Sequence, residues 1–449
     1  MALYHSSNKL KKVLGVAFGI AVVVGGTIGV GILRTPGSIA SVLPSAPLIL
    51  LCWLAIGLYI LLAASSYAEL TTMLPKAGGA FNYIKRAFGD YAGFLNGWFD
   101  FICNAIAPAY FCIVLSEYSA LLFPQLKPYG IEVALLFLTI FTLINLPSVK
   151  SGSTTQQVTS VIKVVLFLLL VLGCFLSQPS KAQAISTPLM EGGVILAVFK
   201  SLQLIMGSYD GWMAVAVFAE EDDNPSRNIP RSYLIGALTV TVLYVLINAA
   251  ILYVLPVSQV AQSPLAASDA ARVAFGGWST NLLILIALFS LYSILNAYMM
   301  IPSRILFGLS REGFFIKQAM AVNKGGTPYF SLLFCYALAV ALILFSSFEQ
   351  LFALGAFMMT IVTAFAFSSL IWLRKKEPEL QRPYKAWGYP FSTYFALVVT
   401  IALFIGFALS DQLSLLIVLG VIAFSYPCFR WLAQKNKKQT HTAASKVHM

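Results

Sequence analysis

The chain alternates long apolar runs with short polar ones. Runs long enough to cross a bilayer, about 20 residues each, fall at roughly 13–43, 47–73, 90–122, 131–148, 156–177, 193–221, 231–255, 279–307, 328–347, 351–373, 391–409 and 413–433. The pattern predicts twelve transmembrane helices. The short segments of alternating polarity that mark an outer-membrane barrel are absent. The predicted fold class is therefore an all-α membrane protein. Residues 1–12 form a polar, basic tail, and the apolar run behind them has no small-residue cleavage site after a short core, so it reads as an uncleaved first span. Residues 434–449 form a second basic tail. A short helix lying on the membrane surface is expected over residues 268–275.

Two of the apolar runs are interrupted. The first contains Gly25-Gly26-Thr27-Ile28-Gly29-Val30-Gly31, and four glycines in seven residues make a poor continuous helix. The sixth contains Gly207-Ser208-Tyr209-Asp210-Gly211. The breaks are about 180 residues apart, at corresponding places in two five-span halves, residues 13–177 and 191–373, with residues 391–433 supplying two further spans. Paired interruptions of this kind point to a transporter site between inverted repeats.

A break frees backbone N–H and C=O groups that lipid cannot satisfy, so it persists only where those groups line a cavity and bind something. The half-helix beginning after Gly29 offers N–H groups and a positive dipole end, which suit a carboxylate. The carbonyls of residues 26–28, and those of residues 206–209, suit an ammonium. Both poles of a zwitterion are thereby provided for. Glycines that merely let helices pack closely are the competing account of either break taken alone.

Composition narrows the classes. The chain is 59% hydrophobic and 10% charged, against about 25% charged in soluble domains, which excludes a soluble enzyme or a nucleic-acid-binding module. The net charge of +12 is mostly a topology signal. With the N-terminus placed in the cytoplasm, about 23 of the 29 Lys and Arg residues fall on the inner side, all but Arg34, Lys127, Lys163, Lys181, Lys200 and Arg272. Both termini are then cytoplasmic. Cys52, Cys103, Cys112, Cys174, Cys335 and Cys428 all lie in apolar runs without CxxC spacing, and His5, His441 and His448 lie in the tails. No metal site, no cofactor and no disulfide-linked heavy chain are expected.

Several patches, in order, carry a family resemblance. They are Gly29-Val30-Gly31-Ile32-Leu33; Leu74-Pro75-Lys76-Ala77-Gly78-Gly79-Ala80-Phe81 running on to Ala87-Phe88-Gly89; Tyr209-Asp210-Gly211-Trp212 with Glu220-Glu221, Asn224-Pro225 and Asn228-Ile229-Pro230-Arg231; Ser303-Arg304 with Ser310-Arg311-Glu312-Gly313; Gly326-Thr327-Pro328; and Arg382-Pro383-Tyr384-Lys385. Through them the chain resembles permeases of the amino acid–polyamine–organocation superfamily, and within it the L-type amino acid transporter branch. The resemblance implies a five-plus-five inverted-repeat fold with broken first and sixth helices. It also implies amino acid transport, with the substrate held by Thr27, Ile28, Gly29, Val30, Gly31 and Ile32 and by Gly207, Ser208 and Tyr209.

Charges inside the spans are functional candidates by default. In sodium-independent relatives a lysine at the position resembling Lys163 stands in for a bound sodium ion, which implies a coupling role for Lys163; the alternative is a side chain that reaches the cytoplasmic interface. Asp210 faces the substrate ammonium or holds the unwound segment through backbone N–H groups. Arg34 departs from the family pattern, and pairing with Asp210, Asp100 or Glu117, an outer gate, and attraction of an acidic side chain all remain open for it. Lys200 and Asp100 read as snorkelling or paired charges, and Glu220, Glu221, Asp222 and Asp223, beside Arg227 and Arg231, as an inner-surface cluster. Gly207, where relatives often carry a bulky aromatic, and Met213 favour a roomy, weakly polar pocket, shaped also by Asn104, Ser293 and Asn296. The expected function is secondary transport of neutral amino acids across a bacterial inner membrane by alternating access, through sodium-independent exchange or proton symport. Polyamine or other organic-cation transport is the alternative. A membrane enzyme lacks a catalytic group at membrane depth, and a channel or sensor lacks a repeated filter or an output domain.

Overall fold

The computed structural model describes residues 9–29, 31–179, 193–263, 265–277, 279–346, 348–410 and 412–447. The first half holds α1 (Val16–Thr27), α2 (Gly31–Val42), α3 (Ala46–Met73), α4 (Phe81–Phe88), α5 (Asp90–Ala105), α6 (Ala107–Leu122), α7 (Gly130–Asn145) and α8 (Val149–Leu176). The second holds α9 (Gly193–Ser208), a 3-10 turn Trp212–Phe218, α10 (Pro225–Val254), α11 (Val257–Gln262), α12 (Ala266–Phe275), α13 (Ser279–Arg311), α14 (Tyr329–Phe345) and α15 (Phe348–Lys376), followed by α16 (Phe391–Ser410) and α17 (Gln412–Val447). The described residues form no strand beyond a single bridge between Leu14 and Asp222. Nine helices among them are long and apolar enough to span a membrane. The expected spans outside those nine are the two interrupted runs and the shorter apolar helix Tyr329–Phe345.

Local chemistry explains where boundaries differ from the apolar pattern. The run at 90–122 is split at Ile106, because Pro108 has no N–H to continue the ladder; α5 ends with the Ile106 N–H on the Ile102 carbonyl. The fifth run starts earlier than its apolar stretch. Ser148 caps α8 by accepting the N–H of Ser151 at 3.0 Å, and the polar residues that follow are buried against other helices. Residues 268–275 are helical as part of α12, which buries Ala266, Ala267, Ala270 and Ala271 and packs on α2, α8 and α13.

The main core is an apolar cluster running through both halves, with a small separate one of Leu10, Ala77, Phe307 and Val322. At its centre α1 packs on α8, α10 and α13, α2 packs on α9, α11 and α12, and α5 packs on α4, α13 and α15. The chain enters beside the second break: the Val13 and Leu14 N–H groups donate to the Glu221 carbonyl at 3.0 and 2.9 Å, and the Asp223 N–H donates to the Leu14 carbonyl at 2.9 Å. One end of the bundle is thus defined by residues 13–14 and 221–223, and α2 and α9 occupy the opposite half.

Candidate functional site

Both interruptions are present and they meet. Helix α1 stops at Thr27, Ile28 and Gly29 are non-helical, and α2 resumes at Gly31; Val30 lies outside the described residues. Helix α9 stops at Ser208, and residues 209–211 form a turn before the 3-10 segment. The two breaks touch backbone to backbone. Gly211 has φ +97°, and a Cβ on it would overlap the carbonyl of Gly26. Only glycine meets both conditions without strain.

The freed carbonyls of the first break are bonded from other helices. Lys163 of α8 donates from Nζ to the carbonyls of Gly25 and Ile28 at 2.8 and 2.5 Å. Ser290 of α13 donates to the Ile28 carbonyl at 2.8 Å. The hydroxyl of Tyr244 on α10 lies 3.1 Å from the Thr27 carbonyl and 2.8 Å from that of Ser208, so one side chain spans the two breaks. The carbonyls of Thr27 and Ile28, read from the sequence as ammonium ligands, therefore already hold protein donors: Thr27 takes one and keeps a further lone pair, whereas Ile28 takes two and keeps none. Lys163 is fully buried rather than reaching an interface. The Thr27 hydroxyl is buried without a partner.

A polar ladder stands behind α1. The Ala21 carbonyl accepts from Gln156 and Ser160 at 3.1 and 2.9 Å. Ser160 and Ser293 are 3.0 Å apart, and Asn296 donates to the Gln156 side chain at 2.9 Å. Gly25 has no room for a Cβ, which would overlap the Gln156 amide. Ser293 and Asn296 thus serve this ladder and do not line the main cavity described next.

That cavity, of about 510 Å³, lies on the α2–α9 half. Its floor is Gly31 with residues 206–210, and Thr35 stands beside it, its hydroxyl 3.3 Å from that of Ser208. Its walls are largely apolar: Ile60, Leu204, Met213, Met359, Leu403 and Phe407. Gly207 has no heavy atom within 4 Å of an added Cβ. Ile28 and Ile32 are fully buried, and neither they nor Gly29 line this space. Asp210 lines it and accepts the N–H of Gly211 through Oδ1 at 2.9 Å. Lys200 also lines it. The side chain of Arg34 lies outside the described residues, so its pairing is not part of the picture.

The opposite end is closed by ion pairs that sequence reading did not assign. The acidic run after the second break finds its arginines on α13, not at Arg227 or Arg231. Arg304 meets Glu221 at 2.9 and 3.3 Å with both side chains buried. Arg311 holds Glu220 at 2.8 and 2.7 Å, and Glu220 also accepts the Ala77 N–H at 2.9 Å. Burial pushes the Asp222 carboxyl up from its ordinary value, opposed by the Asn224 N–H and the Asn228 amide. Glu69 of α3 binds Arg374, Arg382 and the Ala386 N–H. The only forewarning was Arg304 and Arg311 in a motif; the pairing spans more than eighty residues. Among the described residues no cluster of His, Cys, Asp or Glu could hold a metal ion.

Comparison with known proteins matches the model of the family described as amino acid permease over residues 14–425. The chain is similar to the serine/threonine exchanger SteT of Bacillus subtilis, 28% identical over 88% of this chain and 91% of the relative. It is similar to the b(0,+)-type amino acid transporter 1 of Mus musculus, 29% identical over 84% of this chain and 79% of the relative. It is also similar to the large neutral amino acids transporter small subunit 2 of Homo sapiens, 28% identical over 84% of this chain and 72% of the relative.

Proposed function

The chain belongs to the amino acid permease family, and we propose that it carries neutral amino acids across a bacterial inner membrane by alternating access. It is an integral membrane permease and not an enzyme. The observation that carries the reading is the meeting of two helix breaks, Gly26 against Gly211, next to a cavity large enough for an amino acid whose floor is Gly31 and residues 206–210. The N–H groups opening α2 face a carboxylate, and a break carbonyl with a lone pair left, that of Thr27, receives the ammonium. Twelve spans and a five-plus-five inverted repeat supply the two units that rock about this point.

The excess of Lys and Arg puts the end holding residues 13–14 and 221–223 in the cytoplasm. The cavity then opens outward, and the Glu221–Arg304, Glu220–Arg311 and Glu69–Arg374 pairs close the inner path. The apolar wall and the empty space at Gly207 support substrates with aliphatic or aromatic side chains. Lys163, bonded to the first-break carbonyls where a bound cation would sit, supports sodium independence. The test is uptake of labelled L-serine, L-leucine, L-phenylalanine, L-arginine and putrescine into sodium-free proteoliposomes, empty or preloaded with unlabelled amino acids. Stereoselective entry of a neutral amino acid is expected. Entry of putrescine alone would replace the reading with organic-cation transport.

A further inference from the structure

Next to the main cavity lies a second, much smaller chamber that the transport reading leaves unused. It has a volume of about 30 Å³ and is lined by Gly79, Asp100, Asn104, Tyr298, Met213 and Met359 among others. A single water needs roughly 10–15 Å³ of such space, so one or two waters fit and an amino acid side chain does not. Met213 and Met359 line both spaces, and their flexible thioether chains are the partition between them.

Asp100 is the charged group of the chamber. It is 6% exposed, and its Oδ1 accepts from Asn104 at 2.8 Å. Its Oδ2 faces Gly79, where an added Cβ would stand 3.6 Å away. No lysine or arginine among the described side chains pairs with it. The groups in electrostatic reach are hydroxyls and a thiol: Tyr67 of α3, Tyr83 of α4, Tyr233 of α10, Tyr298 of α13 and Cys103 on its own helix. Helix α15 faces the chamber with Met359 and Val362. A carboxylate without a cation at membrane depth is sustained by a proton or by water.

Lys163 and Asp210, two other charges inside the spans, are committed elsewhere. Two carbonyls occupy donors of Lys163, which ties it to the first break. Asp210 holds the Gly211 N–H on the wall of the larger cavity, where water enters.

We propose that Asp100 is the proton-binding site through which this permease couples amino acid entry to a proton gradient. A proton from the outer cavity passes Met213 and Met359 and binds a carboxylate oxygen of Asp100. It leaves to the inner side when the segment Trp212–Phe218, which supplies Ala214, Ala216 and Val217 to the chamber wall, swings away. The proton is the only species bound and released, so the step balances without another reactant. The proposal rests on the amino acid transport reading and names its driving ion.

The experiment measures labelled L-serine, L-leucine and L-phenylalanine in empty proteoliposomes with a one-unit inward pH gradient. In parallel, infrared absorption of the purified protein is recorded in the protonated-carboxyl region. One proton per amino acid sustains about tenfold accumulation across that gradient, since one pH unit is a factor of ten. Accumulation is expected to fall to parity in Asp100→Asn, and the protonated-carboxyl band is expected to vanish in Asp100→Asn and to persist in Asp210→Asn. If Asp100→Asn does not fold, Asp100→Glu should move the band and the pH midpoint of uptake. Exchange that ignores the pH gradient overturns the proton site and leaves the transport reading standing. A band that survives Asp100→Asn overturns it as well. Failure to take up any amino acid defeats the transport reading, and the infrared band then decides Asp100 alone. Preferential uptake of L-arginine that Asp100→Asn abolishes would make Asp100 a side-chain ligand instead.

Discussion

The two helix breaks solve one problem in different ways. At the first, the loose carbonyls are bonded by distant helices: Lys163, Ser290 and Tyr244 come from α8, α13 and α10. At the second, the turn bonds itself in part, with Asp210 accepting the N–H of the next residue and Gly211 taking a left-handed conformation, and one outside donor, Tyr244, reaches the Ser208 carbonyl. The first break therefore depends on three helices around it, and the second on one helix and its own turn. In the alternating-access cycle proposed above, a turn with one outside link can move as a unit with α10. A break held by three other helices has to exchange partners, which ties its movement to theirs.

The largest expected effect is at the point where the two meet. Gly211→Ala puts a Cβ into the Gly26 carbonyl at a φ that L residues avoid, a strain of about 1–3 kcal/mol before the overlap is counted. Uptake should fall to background and the melting temperature in detergent should drop. Gly207→Ala, four residues earlier and in open space, should stay within about 0.5 kcal/mol of the parent in stability. If both variants behave alike, the two backbones are not in contact.

Next comes Lys163→Met. It strips donors from the Gly25 and Ile28 carbonyls, and hydrogen bonds from a charged group contribute roughly 1.5–3 kcal/mol each. Loss of uptake and of thermal stability together is expected. Full uptake in the variant would show that the first break does not depend on α8.

Tyr244→Phe isolates the one link common to both breaks. Interhelical hydrogen bonds in membranes contribute about 0.6–1.7 kcal/mol. A stability loss of that order, with slowed amino acid uptake in proteoliposomes, is expected because the hydroxyl reaches both Thr27 and Ser208. A variant with unaltered uptake would mean that the breaks move independently.

The smallest effect separates a support of the turn from a substrate ligand. Asp210→Asn keeps an oxygen for the Gly211 N–H, whereas Asp210→Ala removes it and should cost about 1 kcal/mol. Stability measured by thermal denaturation should follow the order parent, Asn, Ala. Equal stability in all three, with lost uptake in both variants, would move Asp210 from the turn to the substrate.

Much of this was legible along the chain. Span positions follow from apolar length, and the breaks follow from glycines and polar residues inside apolar runs, because both are local constraints on backbone hydrogen bonding. The acidic run beyond the second break was visible too, but its partners were not. Arg227 and Arg231 are near in sequence, and Arg304 and Arg311 are near in space. Tyr244 carried no signal at all, sitting in the apolar stretch of α10.

The sequence by itself determined that the chain is a helical membrane protein with two matched interruptions, since the bilayer imposes that reading on any run of such length and composition. Only the tertiary structure decided which groups answer the freed carbonyls, that Lys163 is buried on them, and that Asp100 is left in a water-sized chamber without a cation. The physical reason is that spanning helices are apolar on nearly every face, so hydrophobic periodicity does not say which face turns inward. The decisive contacts join residues more than eighty positions apart, and their pairing exists only once the helices have packed.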